Sequence, residues 1–488
     1  MKVALFITLL TLVAANLSQA LEFKLNSIFQ DGMVLQQQSE ATIWGTSKPN
    51  ETITLNGSWK LRRNTTKADN NGHWKTTIKT PKAGGPYQLL VSSPSKIITL
   101  KDVLIGEIWV CGGHNNMQWK MRSFGANHWA EDVAKADFPQ IRYCYISQKL
   151  SLTPQENVTC NWSRCSPSTV LNYGAIPYFF GSKLHQELNV PIGLIATNWA
   201  GSSVQSWMSR DFLGQKFPKH KEIFDEQDAL AEQLPAVFTR NPSIPKSINQ
   251  KSSNLAYNTM LHPITPFTIK GAIWYQGKSN ISDPKQYRTL FPALIQNWRE
   301  EWGQGDFPFY YVQNAPFHYK YVPIPIAFFR EAQTMSLSTP NTGMVVTMDA
   351  NSPGNEIPRR KKPVGERLAN LALVNDYGKT GLNPNSPLLN EFKIIDSSIQ
   401  LTFHNAETGL TSRDGKPLTH FTIAGSDQKF HPATATIKDQ QIIVSSPKVS
   451  SPVAVRFAWG NADGPNLMNK AGLPAPSFRT DTWPITSK

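Results

Sequence analysis

The chain has 488 residues, with 49 Lys plus Arg against 35 Asp plus Glu, 40% hydrophobic and 10% aromatic content, 30 Gly, 35 Pro and only 4 Cys. At ~150 residues per domain such a length holds several folded units, and 14 Trp with 24 Phe need dry cores. Disordered, collagen-like and disulfide-scaffold classes are excluded.

Met1 and Lys2 precede an apolar run from Val3 to Ala15, and Ser18-Gln19-Ala20 supplies the small-x-small pattern of a cleavage site. Residues 1–20 therefore read as a removed signal peptide, since the run is shorter than the ~20 residues that span a bilayer. The expected mature protein is soluble, secreted or lumenal, and has no membrane anchor. That compartment permits disulfides, so a Cys160–Cys165 bridge is expected, while Cys111 and Cys144 sit in apolar strand-like runs and read as buried free thiols. Asn50, Asn56, Asn64, Asn157, Asn161 and Asn280 begin glycosylation sequons. The net charge of +14 favours anionic partners, and its densest run, Arg359-Arg360-Lys361-Lys362, reads as a solvated cluster. With no nucleic-acid-binding motif beside it, a nucleic-acid partner is not expected.

Along the chain, residues 21–103 alternate polar and apolar in short runs, as in Thr52-Ile53-Thr54-Leu55 and Tyr87 to Val91, and predict a β-rich domain. From about Asp102 continuous apolar runs take over: Ile108 to Val110, Ile192 to Ala196, Gly271 to Tyr275, Phe309 to Val312 and Met344 to Met348. Such runs are strands buried on both faces. Between them Ile176, Phe180, Leu184 and Leu188 mark one helix and Tyr287, Phe291, Leu294 and Trp298 another, with further helices at Ala327 to Met335 and Val364 to Val374. Residues 104–382 thus predict an α/β domain with a parallel sheet covered by helices. Short alternating strands return over 383–488, for example Ile399 to Phe403, as a second β-rich domain.

In a doubly wound sheet the ligand site lies beyond the carboxyl ends of the strands. After the strand at Ile108 comes Cys111-Gly112-Gly113-His114-Asn115-Asn116-Met117-Gln118-Trp119, which resembles the nucleophile block of the sialate O-acetylesterases in the SGNH hydrolase superfamily, Gly-Gln-Ser-Asn-Met. Phe29 to Gln36 is similar to that family's amino-terminal signature, Trp199 to Ser202 with Trp207 to Ser209 to its glycine block, and Ile273 to Gly277 to a block after a later strand. Phe328 to Gln333, Ala458-Trp459 and Phe478 to Thr480 extend the likeness to nearly the whole chain, in the family's order. The resemblance implies a flavodoxin-like SGNH domain flanked by β-rich domains. It also implies chemistry in which a Ser attacks the acetyl ester of a sialic acid, a His takes its proton, and N–H groups hold the oxyanion.

The site departs from that plan. Asn115 occupies the nucleophile position, and a carboxamide, whose nitrogen lone pair is delocalised, forms no acyl-enzyme at useful rate. In the loop where the family has Ile-His-Pro, this chain reads Asp349 to Pro358 with Asn355-Glu356-Ile357-Pro358. Either Ile357 replaces the His or the His is deleted. Lys278 follows Gly277 where the family carries Glu. Gly201, Gln276 and Asn116 persist as candidate oxyanion or binding groups, with Lys278 as a binding candidate. In a measured triad hydrolase, losing nucleophile or base alone costs ~10⁶ in kcat. The expectation is a pseudoesterase that binds acetylated or acidic glycans in the old cleft.

Two other readings share these motifs. An active O-acetylesterase could use a rearranged site built from His114, Glu356 or Asp349. A non-catalytic interaction protein would act through its β domains alone. His262 reads as a structural histidine. No metal-ligand spacing, phosphate loop or dinucleotide fingerprint occurs, so neither metal nor cofactor is expected, and oligomeric state is left open.

Overall fold

The computed structural model describes residues 22–485 apart from 61–62, 126–127, 240–243, 320–321, 323 and 351–356. The leader reading, Asn355 and Glu356 therefore lie outside the described residues. The site is carried by a predominantly parallel sheet with strand order Cys160–Arg164, Ile141–Ile146, Ile192–Asn198, Ile97–Gly113, Gly271–Tyr275, Phe309–Val312 and Thr342–Val345. Only the outermost Cys160–Arg164 pairs antiparallel to its neighbour on this path. The central strand is buried on both faces from Val103 through Gly113, as its unbroken apolar run requires.

The two faces carry separate apolar layers. Ile176, Phe180 and Leu184 of the helix Ala175–Leu188 and Val364, Leu368 and Leu371 of Lys361–Asn375 join Trp109 and Ile273 in one. Tyr287, Phe291, Leu294 and Trp298 of Pro284–Trp302 and Phe329 of Ile326–Met335 join Val110 and Trp274 in the other. The four-residue spacing noted in the sequence turns each of these apolar stripes to the sheet. Among the described residues no helix is long and apolar enough to cross a membrane.

β-rich segments lie on either side in sequence. The central strand Ile97–Gly113 is unusually long, because its first half pairs antiparallel with Gly84–Ser92 while its second half is the middle of the parallel sheet. The two layers are therefore joined through one continuous backbone rather than a linker. The carboxy-terminal segment forms two four-stranded antiparallel sheets and a two-stranded one.

One expectation is corrected here. Cys160 opens an extended strand and Cys165 follows its end, so at ~3.3 Å per residue their Cα atoms stand roughly 16 Å apart, far beyond the ~7 Å limit for a bridge. All four cysteines are free thiols; Cys165 Sγ faces the Ala136 carbonyl at 3.5 Å and Cys160 Sγ that of Ser27 at 3.3 Å. The sequon residue Asn280 is buried with its amide nitrogen donating to Gln205 Oε1 at 3.0 Å, which leaves no room for a glycan.

The blocks Phe328 to Gln333 and Ala458 to Thr480, far apart in sequence, meet at the seam with the carboxy-terminal strands. Arg330, fully buried, donates to Ser477 Oγ at 2.9 Å and to the carbonyls of Ala458 and Gly460 at 3.1 and 3.0 Å. Glu331 pairs with Arg479 at 2.7 Å, and Phe328 packs edge-on against Trp459. Removing Arg330 takes its hydrogen bonds from Ser477 Oγ and the two carbonyls and empties the space of a fully buried side chain. Arg330→Ala is expected to lower stability by about 2–4 kcal/mol, read as a lower urea midpoint, and Arg330→Lys to recover little because one ammonium cannot replace a planar fork. An unchanged midpoint would contradict this account of the seam.

Candidate active site

The central strand ends at Gly113, whose φ of +129° and close approach to the Tyr275 backbone, 2.5 Å from where a Cβ would sit, admit only glycine. The chain then enters the short helix Asn115–Gln118 with His114 as its N-cap. His114 N donates to the Tyr275 carbonyl at 2.9 Å, and Trp199 N donates to the Gly113 carbonyl at 2.9 Å. The carboxyl ends of three neighbouring strands are thus tied together, at the place where ligands bind in sheets of this kind.

The His114 imidazole fills the space between them. Asn115 N lies 2.6 Å from its Nδ1 and Gly201 N 2.9 Å from its Nε2. Ser279 Oγ lies 3.2 Å from the same Nε2 and donates to the Gly201 carbonyl at 2.8 Å. The ring lies over Gly277, where a Cβ would come within 2.2 Å of Nδ1. A neutral imidazole has one acceptor nitrogen and one N–H, so either tautomer satisfies only one of the two backbone donors, and a second proton would point straight at the other. Burial, reinforced by the charges of Lys278 and Lys251, depresses the His114 pKa to about 4.

The remaining expected residues fall around this ring. Asn115 supplies its backbone N–H to His114. Asn116 Oδ1 accepts from Lys361 Nζ at 2.5 Å. Gly201, at φ +84°, has its N–H occupied by the ring, while the preceding Ala200 N donates to Gln118 Oε1 at 2.7 Å. Gln276 is fully buried and its amide nitrogen donates inward to the Ser202 carbonyl at 3.3 Å and Asn280 Oδ1 at 3.1 Å. Lys278 is exposed. Ile357 is half-buried.

Asp349 is held by Arg367 through two hydrogen bonds of 2.8 and 2.7 Å; burial opposes its charge, but the guanidinium prevails and keeps the carboxyl below its usual range. His262 donates to or accepts from nothing in this cluster; its Nδ1 faces the Gln155 carbonyl at 3.0 Å.

Sequence reading did not single out Ser279 or Lys361 as site residues. Ser279 lies one residue beyond Lys278 in the same loop, which was its signal. Lys361 belongs to the basic run read as solvated, yet it is fully buried, with its amine 5.7 Å from the Tyr275 ring centre and its pKa driven well down by burial. Arg359, Arg360 and Lys362 of the same run are exposed.

Chemically, the arrangement places a serine beside a histidine but withholds what a dyad needs. The Ser279 hydroxyl proton is directed at a carbonyl, and the Nε2 lone pair already accepts an N–H. No carboxylate contacts the ring among the described residues. A pKa near 4 instead of 6.5 makes proton acceptance roughly 3 kcal/mol harder than for an ordinary histidine.

Residues 243–373 match the model of a carbohydrate esterase family, the sialic acid-specific acetylesterases, which sets the class. A carbohydrate acetylesterase structure from Xanthomonas citri superimposes with a TM-score of 0.82 at 36% identity, over 94% of this chain and 100% of that one. The sialate O-acetylesterases of Mus musculus and Homo sapiens are both 28% identical to it, over 93% and 95% of this chain and 92% and 94% of their own. The chain belongs to the sialate O-acetylesterase family.

The depressed His114 pKa fixes a pH dependence. The unfolded chain takes up this proton near pH 6.5 and the folded one only near 4, so the stabilisation is complete above about pH 6.5 and is lost as pH falls towards 4. Over that window the loss is roughly 3 kcal/mol. Unfolding midpoints of the wild type minus those of His114→Gln should show this slope; a difference flat between pH 4 and 7 would contradict it.

Proposed function

We propose that the protein is a secreted, catalytically inactive member of its family, a pseudoesterase that keeps a cationic cleft for acetylated or acidic glycans on a flavodoxin-like, SGNH-type core. The observation that carries this reading is the His114 ring wedged between Asn115 N, 2.6 Å from Nδ1, and Gly201 N, 2.9 Å from Nε2, so that it occupies the space in front of both donors. An oxyanion hole works because its donors are aimed at charge that develops only during reaction. Here the ring accepts one of those N–H groups in the ground state and blocks the approach to the other, and the residue in the nucleophile position is an amide. The strand order and the position of the cluster at the strand ends support the SGNH assignment. The pattern from Met1 to Ala20 supports export.

Support for an acidic ligand comes from charge. Burial is the main cause of the lowered His114 pKa, but the charges of Lys278 and Lys251 add to it, and Lys361 lies buried against Asn116. Asp349, in the former base loop, is paired with Arg367 at 2.7 Å.

A second reading has one observation in its favour, the 3.2 Å approach of Ser279 Oγ to His114 Nε2. In it, Ser279 would attack the ester carbonyl and pass its proton to His114, the leaving alkoxide would take that proton, and water deprotonated by His114 would then cleave the acetyl-Ser279 to acetate. Its difficulty is that accepting the proton requires displacing the Gly201 N–H.

One set of measurements separates the two. Incubation with O-acetylated sialic acid and with p-nitrophenyl acetate is expected to release acetate no faster than buffer, and a fluorophosphonate probe to label no serine. Turnover lost in Ser279→Ala, with the probe on Ser279, would establish the second reading. Binding of sialosides, measured by titration calorimetry, is expected to weaken severalfold in Lys278→Glu; failure to bind any acidic glycan would remove the ligand half of the proposal.

A further inference from the structure

The strand Leu388–Ile395 is an outer strand of the sheet it forms with Ser398–His404, Gln441–Ser445 and Thr434–Lys438. One edge pairs with Ser398–His404, and among the described residues no strand pairs with the other. Every residue from Asn390 to Ile395 is exposed, including Phe392 at 39%, Ile394 at 52% and Ile395 at 44%. Phe392 and Ile394 stand opposite Leu401 and Ile399, which are fully buried. Cross-strand partners share a face, so the apolar face of this sheet continues one strand beyond what the rest of the molecule covers.

An open, apolar edge invites another strand unless charges, prolines or irregularities guard it. The guards here are a bulge between Leu389 and Phe392 and the pair Glu391 and Lys393. Those two charges flank Phe392 symmetrically. If a second copy lies antiparallel with a two-fold axis at Phe392, Glu391 of each chain faces Lys393 of the other. Phe392 then meets Phe392, and the regular pairing ends at the bulge beyond Glu391. A slip of one residue would set Phe392 against Lys393 and leave both charges unmatched, so the sequence selects this register.

We infer that Leu388–Ile395 is a self-association edge, through which two copies pair antiparallel and join their sheets into one. The occupant is a second copy because the charge pattern is complementary to itself under a two-fold axis, and such an axis makes an isologous dimer. A pair of strands is a small interface, so the dimer is expected to form in the micromolar range.

Sedimentation equilibrium of the full chain over micromolar concentrations tests this. The expected result is a reversible monomer–dimer equilibrium. Lys393→Glu puts like charges opposite each other on both sides of the axis and is expected to weaken the dimer about tenfold. The double exchange Glu391→Lys with Lys393→Glu restores the complementarity and is expected to return the dissociation constant to within about threefold of wild type. Both positions are exposed, and circular dichroism verifies that each variant is folded. A chain monomeric at every concentration up to roughly 100 µM would overturn the inference. So would a dimer indifferent to Lys393→Glu, or one that the double exchange fails to restore, which would point to another strand or surface.

Discussion

The structure of this site depends on the bond between the Gly201 N–H and the His114 ring. Catalytic N–H donors are useful because the fold leaves them unsatisfied until a charge appears beside them, and that state costs stability. Here the cost is relieved from within. Trp199 N, Ala200 N and Gly201 N, three successive donors, bond to Gly113 O, Gln118 Oε1 and His114 Nε2. The loop is closed on the helix start by backbone and side-chain partners together. A polar ligand competing for the Gly201 donor would have to displace the imidazole.

The same clasp explains why the ring is neutral. Its surroundings consist of backbone N–H groups, a serine hydroxyl and the glycine at 277, with lysine charges beyond. Burial first, then the lysine charges, disfavour a second proton, and a backbone N–H faces the nitrogen that would carry it. The basicity that would let Ser279 ionise is lowered by the contacts that hold the ring in place, so rigidity and reactivity are opposed at this histidine. The hydroxyl completes the local network by donating to the Gly201 carbonyl instead.

Much of the architecture was legible because it follows from simple periodicities. Continuous apolar runs became the parallel strands, and the spacing of Ile176, Phe180 and Leu184 became the face of a helix on them. What escaped the sequence was the direction of individual side chains. His114 precedes a helix, but its ring reaches inward because position 277 is a glycine, a coincidence of two distant residues. The run Arg359 to Lys362 looks uniform in sequence, whereas the helix that starts at Lys361 turns that one residue to the core and leaves its neighbours outside. The cysteine pair was misjudged for a related reason: a spacing that a turn would close, an extended strand holds open.

Lys361 connects the cleft's history to its proposed ligand. A buried ammonium without a carboxylate partner is costly, and among the described residues Lys361 Nζ donates to the neutral Asn116 oxygen. Burial therefore favours the uncharged amine. On the proposed reading, an acidic sugar entering beside Asn116 would change that balance, because a carboxylate close to the amine makes the charged form the better one. Binding would then take up a proton at Lys361, which His114, whose second proton would face a backbone N–H, is poorly placed to accept. The two basic groups at this site respond to an anion differently: the amine is free to rotate its three donors towards it, while the imidazole is fixed between two backbone donors. Charge recognition of this kind needs no nucleophile, because it requires only a basic group whose protonation an anion reverses.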